Sequence, residues 1–140
     1  MPGGSFEFFN HSADVGISVQ AESLEGLFEL AGNALMCWMG PEPQTLPTGR
    51  IAVNVEAQDG EELMVRWLQE LLFLFQHRHG YFLGTEHLSV SGNTLSAEVI
   101  FRVWGESEYQ DYQEVKAVTY HQLSVRREGT SWHARFILDI

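Results

Sequence analysis

The sequence predicts a single α+β domain, in which two amphipathic helices pack on a mainly antiparallel β-sheet. The chain has 140 residues, of which 44% are apolar, which suits one domain with its own core and is too short for two. Two segments carry apolar residues at helical spacing, whereas most other segments alternate apolar and polar residues as strands do. We therefore expect one domain over residues 1–140, with residues 1–4 flexible at its start.

Each predicted helix has sequence signals at its two ends. The segment "SLEGLFELAGNALMCW" begins with Ser23, a favourable N-cap, and stops at Gly40 before a proline. The second helix starts at Asp59, whose spacing to Glu62 is that of a capping box, and Gly80 is expected to close it. The predicted strands are "FEFFN", "VGISVQA", "RIAVNVEA", "HLSVSG", "LSAEVIFRVW", "VKAVTYHQLSVRR" and "WHARFILDI".

The composition argues against several classes of function. The chain has 19 acidic residues against 8 Lys and Arg, a formal net charge of −11, so direct nucleic-acid binding is not expected. No apolar run reaches the ~18 residues of a membrane span, and "MPGGSFEFF" lacks the features of a signal peptide, so we expect a cytoplasmic protein without membrane association. The single cysteine, Cys37, lies in an apolar helical pattern and is expected to be a buried, inert thiol.

Several histidines and tryptophans receive structural interpretations. A pair such as His77 and His79 can hold a metal, but the dipole at the end of the second helix favours cations there in any case. His121 falls with the apolar set of its strand, which favours a hydrogen-bonded core histidine over a ligand. Trp104 and Trp132 are assigned to the core.

The last two predicted strands form a hairpin around "REGT". Placing their apolar residues on one face predicts a loop formed by Glu128 and Gly129. That register sets Val118 opposite Asp139, and Ala117 opposite Ile140. Lys116, the sole lysine, then becomes the diagonal neighbour of Asp139 beside the terminal carboxylate.

The convergence of one lysine and two carboxylates has two interpretations. An exposed ion pair worth ~0–1 kcal/mol is the ordinary one. The terminal carboxylate is ionised at neutral pH, however, and its repulsion with Asp139 is relieved better by a divalent cation with oxygen ligands, provided that a third acid is nearby.

Four segments of the sequence resemble the archease family. They are "HSADVGI", "SLEGLFELAGNAL", "VKAVTYHQLSV" and the terminal "FILDI", in the family's order and across nearly the whole chain. The resemblance implies an accessory protein, not an enzyme. Archeases assist the RtcB-type RNA ligase, which joins tRNA halves and other broken RNAs in splicing and repair, by promoting its GTP-dependent guanylylation and thus multiple turnover.

The resemblance also implies roles for particular residues. Asp14, Asp139 and the Ile140 carboxylate match the ligands of a divalent cation, expected to be Ca²⁺, with Mg²⁺ and Mn²⁺ as alternatives. Lys116 matches a lysine needed for activation of the ligase. His11 and Tyr120 belong to the family motifs and, with Asp14, are candidates for the partner-facing surface.

Two departures and two alternatives remain open. Asn10 stands where the family often has an acid, and the loss of that acid puts in question either the strength of the metal site or a partner contact. Ser12 replaces the commoner threonine. One alternative function is a small metal-dependent phosphoester hydrolase, with Asp14 and Asp139 holding the ion and His11 as base. The other is a chaperone-like module that contacts several RNA-processing proteins.

Overall fold

The fold is known from a computed structural model that describes residues 3–11, 14–44 and 48–140. Its class is α+β, as predicted. The elements in chain order are β1 (Ser5–His11), β2 (Asp14–Ala21), α1 (Leu24–Met39), β3 (Thr48–Glu56), α2 (Gly60–Arg78), β4 (Gly80–Ser91), β5 (Thr94–Val103), a 3₁₀ helix (Glu106–Asp111), β6 (Ala117–Glu128) and β7 (Ser131–Asp139).

The described strands form two antiparallel sheets, a division that the sequence did not predict. The four-stranded sheet has the order β1-β2-β7-β6, and the three-stranded sheet has the order β3-β5-β4. Helix α1 contacts β2 and β4, and α2 contacts β6 and β4, so each helix packs against both sheets. The apolar faces therefore share one core, whose largest fully buried side chains include Trp67, Phe28, Phe82 and Phe136.

The predicted helix starts are confirmed. The Ser23 side chain accepts a hydrogen bond from the Gly26 N–H at 3.0 Å. The Asp59 carboxylate accepts one from the Glu62 N–H at 2.8 Å. Side-chain oxygens at these positions satisfy N–H groups that the first turn of a helix leaves unpaired.

The predicted end of α2 is wrong by one residue. The C-cap is His79, in the left-handed conformation at φ 57°, and Gly80 already belongs to β4. The His79 ring stacks on Trp104 with centroids 4.0 Å apart. Gly80 is needed for a different reason, because a Cβ there would lie 2.7 Å from Cγ of Leu74.

The predicted register of the last hairpin is also wrong. Glu128 pairs with Ser131, so Gly129 and Thr130 form the loop instead of Glu128 and Gly129. Strand β6 then contains a bulge, since five steps from Thr119 to Ser124 face only two from Ile137 to Arg135. Beyond this bulge Ala117, not Val118, lies opposite Asp139.

Two predictions of burial fail, while those for the tryptophans largely hold. His121 is exposed, because it lies in the bulge where β6 leaves the regular alternation. Cys37 is also exposed, on the side of α1 that faces away from the core. Trp104 is buried, and Trp132 is partly buried against the core. None of the described helices is long and apolar enough to cross a membrane.

Candidate functional site

The register of the four-stranded sheet brings Asp14 and Asp139 together. Strands β2 and β7 are antiparallel, and their pairing reaches Val15 opposite Leu138. The next residues outward are Asp14, where β2 begins, and Asp139, where β7 ends. Continuing the register by one residue sets Asp14 opposite Asp139, a position in which residues generally have Cβ atoms about 4.5–5.5 Å apart.

Both aspartates lie on the sheet face that points away from the helices. Val15 and Leu138 are buried in the core, and successive strand residues point to opposite faces. Asp14 and Asp139 are each partly exposed. The carboxylates therefore lie at one end of the sheet, open to an ion or a partner.

Lys116 reaches the same sheet end through its backbone. Its N–H donates a hydrogen bond to the carbonyl oxygen of Asp139 at 2.7 Å. The residue itself is exposed. Within the part of the chain that the structure describes, no ion pair joins the Lys116 ammonium to Asp139. The predicted proximity of these residues is thus a main-chain contact, made in a register different from the predicted one.

The chemistry of this sheet end fits a divalent cation with oxygen ligands. Over residues 3–11, 14–44 and 48–140, neither Asp14 nor Asp139 has a side-chain hydrogen bond or ion pair. The same residues contain no cluster of three or more His, Cys, Asp or Glu side chains suited to a metal. The predicted set has only two such side chains, because its third ligand is the main-chain carboxylate of Ile140.

The other predicted partner-facing residues lie on either side of the aspartate pair. The His11 backbone pairs with Asp14 across β1 and β2. Tyr120 is 56% exposed at the start of the β6 bulge. Asn10 is the preceding residue of β1 and is exposed, whereas Ser12 lies outside the described residues.

Beside the aspartates, the Phe9 ring covers part of the outer face of the four-stranded sheet, which the sequence did not predict. The Phe9 ring lies over Gly16, so that a Cβ on Gly16 would be 2.0 Å from Cζ of Phe9. The Arg135 guanidinium carbon lies 4.0 Å from the centroid of the same ring. Ile137, which pairs with Gly16, is fully buried although its strand alternation assigns it to the same outer face.

A family model matches most of the chain. The model describes the archease protein family (MTH1598/TM1083), and it matches residues 6–140. A protein archease from Sulfurisphaera tokodaii is 29% identical over 139 residues, covering 96% of this chain and 98% of that protein. One from Saccharolobus islandicus is 31% identical over 140 residues, covering 97% and 99%.

Two solved structures share the fold. The solution structure of Methanobacterium thermoautotrophicum protein 1598 has a TM-score of 0.72 and 28% identity, over 96% of this chain and 98% of that one. The crystal structure of a Thermotoga maritima protein, described as an archease and possible chaperone, has a TM-score of 0.65 over 94% of each chain. At 22% identity the second likeness concerns the fold alone. With the family model matched over residues 6–140, the chain belongs to the archease family.

Proposed function

We propose that this chain is an accessory protein that activates an RtcB-type RNA ligase. It promotes the GTP-dependent guanylylation of the ligase and so allows multiple turnover in tRNA splicing or RNA repair. Family membership supports this activity. The observation that carries the proposal is that Asp14 begins β2 and Asp139 ends β7 beside it, where the Lys116 N–H donates to the Asp139 carbonyl.

The same sheet end is the proposed site of a divalent cation. Asp14, Asp139 and the carboxylate of Ile140 would hold it, and such a ligand set of oxygen anions favours Ca²⁺, with Mg²⁺ or Mn²⁺ as alternatives. The bound cation would supply positive charge that offsets the repulsion among these carboxylates. A substitution that removes one of these ligands is therefore expected to lower the stability of the protein in the presence of the cation, as well as its activation of the ligase.

The residues around the aspartates form the proposed docking surface. Lys116 directly precedes β6 and Tyr120 lies within it, and both residues are exposed. The His11 backbone pairs with Asp14. An activator shifts its partner only by binding one conformation better than another. We infer that this surface binds the ligase in the conformation that is competent for guanylyl transfer. The net charge of −11 supports a protein partner over direct contact with RNA.

The decisive experiment is a turnover assay with the cognate ligase, GTP and broken RNA. Asp14→Ala and Lys116→Ala should each reduce stimulated turnover by about 10-fold or more, because each removes a group from the proposed site. Matched controls are Glu56→Ala and Arg66→Ala, which remove an exposed charge of the same sign elsewhere. If the folded Asp14 and Lys116 variants stimulate ligation as the controls do, the proposed site is wrong.

A second arm separates the accessory role from enzymatic activity. The chain is incubated alone with phosphoesters, GTP and RNA in the presence of Ca²⁺, Mg²⁺ or Mn²⁺. An activator without its ligase should leave all three substrates unchanged. Metal-dependent turnover that is lost in the Asp14→Ala variant would instead establish a hydrolase.

A further inference from the structure

Aromatic side chains line a cavity that neither Asp14 nor Asp139 borders. Its volume is about 380 Å³, within the range of cavities that bind small groups. Its walls come from α2, the 3₁₀ helix and the segment that precedes β6, and include Phe75, Trp104, Tyr109 and Tyr112. The Trp104 centroid is 5.2 Å from that of Phe75, 5.7 Å from Tyr112 and 5.8 Å from Tyr109.

Two glutamine side chains line this cavity, and the amide nitrogens of both already donate hydrogen bonds. Gln76 donates through Nε2 to the Val115 carbonyl at 3.0 Å, and Gln113 donates to the Trp38 carbonyl at 2.9 Å. Their orientation is set by these partners, because a carbonyl only accepts. No described residue donates to the Oε1 atom of either side chain. The indole N–H of Trp104 donates a hydrogen bond to the Phe75 carbonyl at 3.2 Å.

Tyr112, which also lines the cavity, has an unpaired hydroxyl group among the described residues. It is buried and has no hydrogen-bond partner among the described residues. Burial, followed by the nearby charges of Glu108 and Asp111, raises the pKa of Tyr112 to about 12. A buried hydroxyl without a partner usually indicates a missing one.

The charged residues that line the cavity or fall between Gly105 and Val115 in the sequence are acidic, apart from His77. Glu114 lines the cavity, and the residues from Gly105 to Val115 include Glu106, Glu108 and Asp111 but no Lys or Arg. Aromatic faces and carboxylates together favour an organic cation with an apolar stem. Arginine suits this site better than lysine, because its planar guanidinium stacks on rings and donates to several acceptors at once.

We propose that this cavity binds an arginine side chain presented by a partner protein. The arginine stem packs on Tyr109 and Tyr112, and its guanidinium donates to Glu114 and the free glutamine carbonyls. The site is separate from the aspartate pair and does not depend on the proposed activation of the ligase. Val115 lines the cavity, and Lys116 of the proposed docking surface is the next residue. One partner protein can therefore contact the cavity and the docking surface together.

The test uses the isotope-labelled full chain and a capped Gly-Arg-Gly peptide, followed by amide and indole NMR signals. The arginine peptide should shift the Trp104 indole signal and the amides of residues 109–115. The Trp67 indole, which donates to the Phe28 carbonyl at 2.7 Å inside the core, should not move. The same peptide with citrulline, which is neutral and of nearly equal shape, should bind between about 2-fold and 30-fold more weakly.

Two substitutions and a matched control locate the binding. Tyr109→Leu and Glu114→Gln both change exposed residues that line the cavity, so folding should be preserved while arginine binding weakens. Glu106→Gln removes the same charge from an exposed residue outside the lining and should weaken binding much less than Glu114→Gln does. Equal binding of citrulline, equal effects of Glu106→Gln and Glu114→Gln, or no shifts at millimolar peptide would each overturn the proposal. Tighter binding of a lysine peptide would overturn the choice of arginine.

Discussion

At the scale of single residues, Gly16 shows how a motif position can serve packing. It belongs to the segment "HSADVGI", next to the proposed ligand Asp14. The Phe9 ring fills the space that a side chain would need, and the Arg135 guanidinium lies over that ring. The glycine therefore allows an aromatic side chain to cover the sheet beside the aspartates.

We predict that Gly16→Ala lowers the free energy of unfolding by about 1–3 kcal/mol, because the new Cβ displaces the Phe9 ring. Urea unfolding of the purified variants measures this change. Adding Phe9→Ala to Gly16→Ala should remove most of the steric cost of the alanine, so the two substitutions are expected to be non-additive.

Gly60→Ala is the matched control for this prediction. Gly60 is the first residue of α2, and nothing lies within 4 Å of the position that its Cβ would take. Alanine there should leave stability unchanged or raise it by up to about 1 kcal/mol, since alanine favours helices. Similar losses at Gly16 and Gly60 would contradict the packing explanation.

At the scale of elements, β6 is an edge strand that α2 holds on both sides of its bulge. The Gln69 side chain donates to the Val118 carbonyl at 3.4 Å, before the bulge. The Glu61 carboxylate accepts from the Val125 N–H at 3.3 Å, after it. Within the bulge, Gln122 has φ 52°. The bulge is thus held by a helix, at the cost of one residue in a strained backbone conformation.

Gln122→Gly should raise the free energy of unfolding by about 0.5–1 kcal/mol, because glycine adopts positive φ without the Cβ penalty. Gln122→Val should lower it by about 1–2 kcal/mol, since a β-branched residue suits this conformation poorly. Thermal and urea unfolding provide both values. Gln20→Gly, at an exposed position in β2, should destabilise the protein; the same loss at Gln122 would show that the bulge is not strained.

At the scale of the whole molecule, the proposed cation site couples the chain terminus to folding. Asp14 comes from β2, near the start of the chain, and Asp139 and Ile140 end it. A cation that binds only the folded arrangement of these groups stabilises it by mass action. The acidic excess of the chain adds to this effect, because bound positive charge reduces repulsion.

Ca²⁺ at 100 times its dissociation constant should therefore raise the free energy of unfolding by about 2.7 kcal/mol. Two residues added after Ile140 move the terminal carboxylate away and should remove most of this gain, whereas two residues added before Met1 should not. Calorimetry with and without Ca²⁺ measures both effects. Equal tolerance of the two extensions would exclude the terminal carboxylate as a ligand.

Much of the fold was predictable because its signals are local. The caps at Ser23 and Asp59 act within three residues, and the apolar spacing of both helices repeats within a few turns. The proximity of Lys116 and Asp139 was also predicted, although by way of a register that the structure corrects. That register depended on strict alternation along β6, which fails at Thr119–Ser124.

The sequence by itself determined the α+β class, the helix starts, the acidic surface and the archease motifs, because each depends on residue types or on short spacings. Only the tertiary structure decided the two sheets, the apposition of Asp14 and Asp139, the exposure of Cys37 and His121, and the aromatic cavity. These features arise between segments far apart in the chain. Their positions depend on how strands pair and helices pack, which no local pattern encodes.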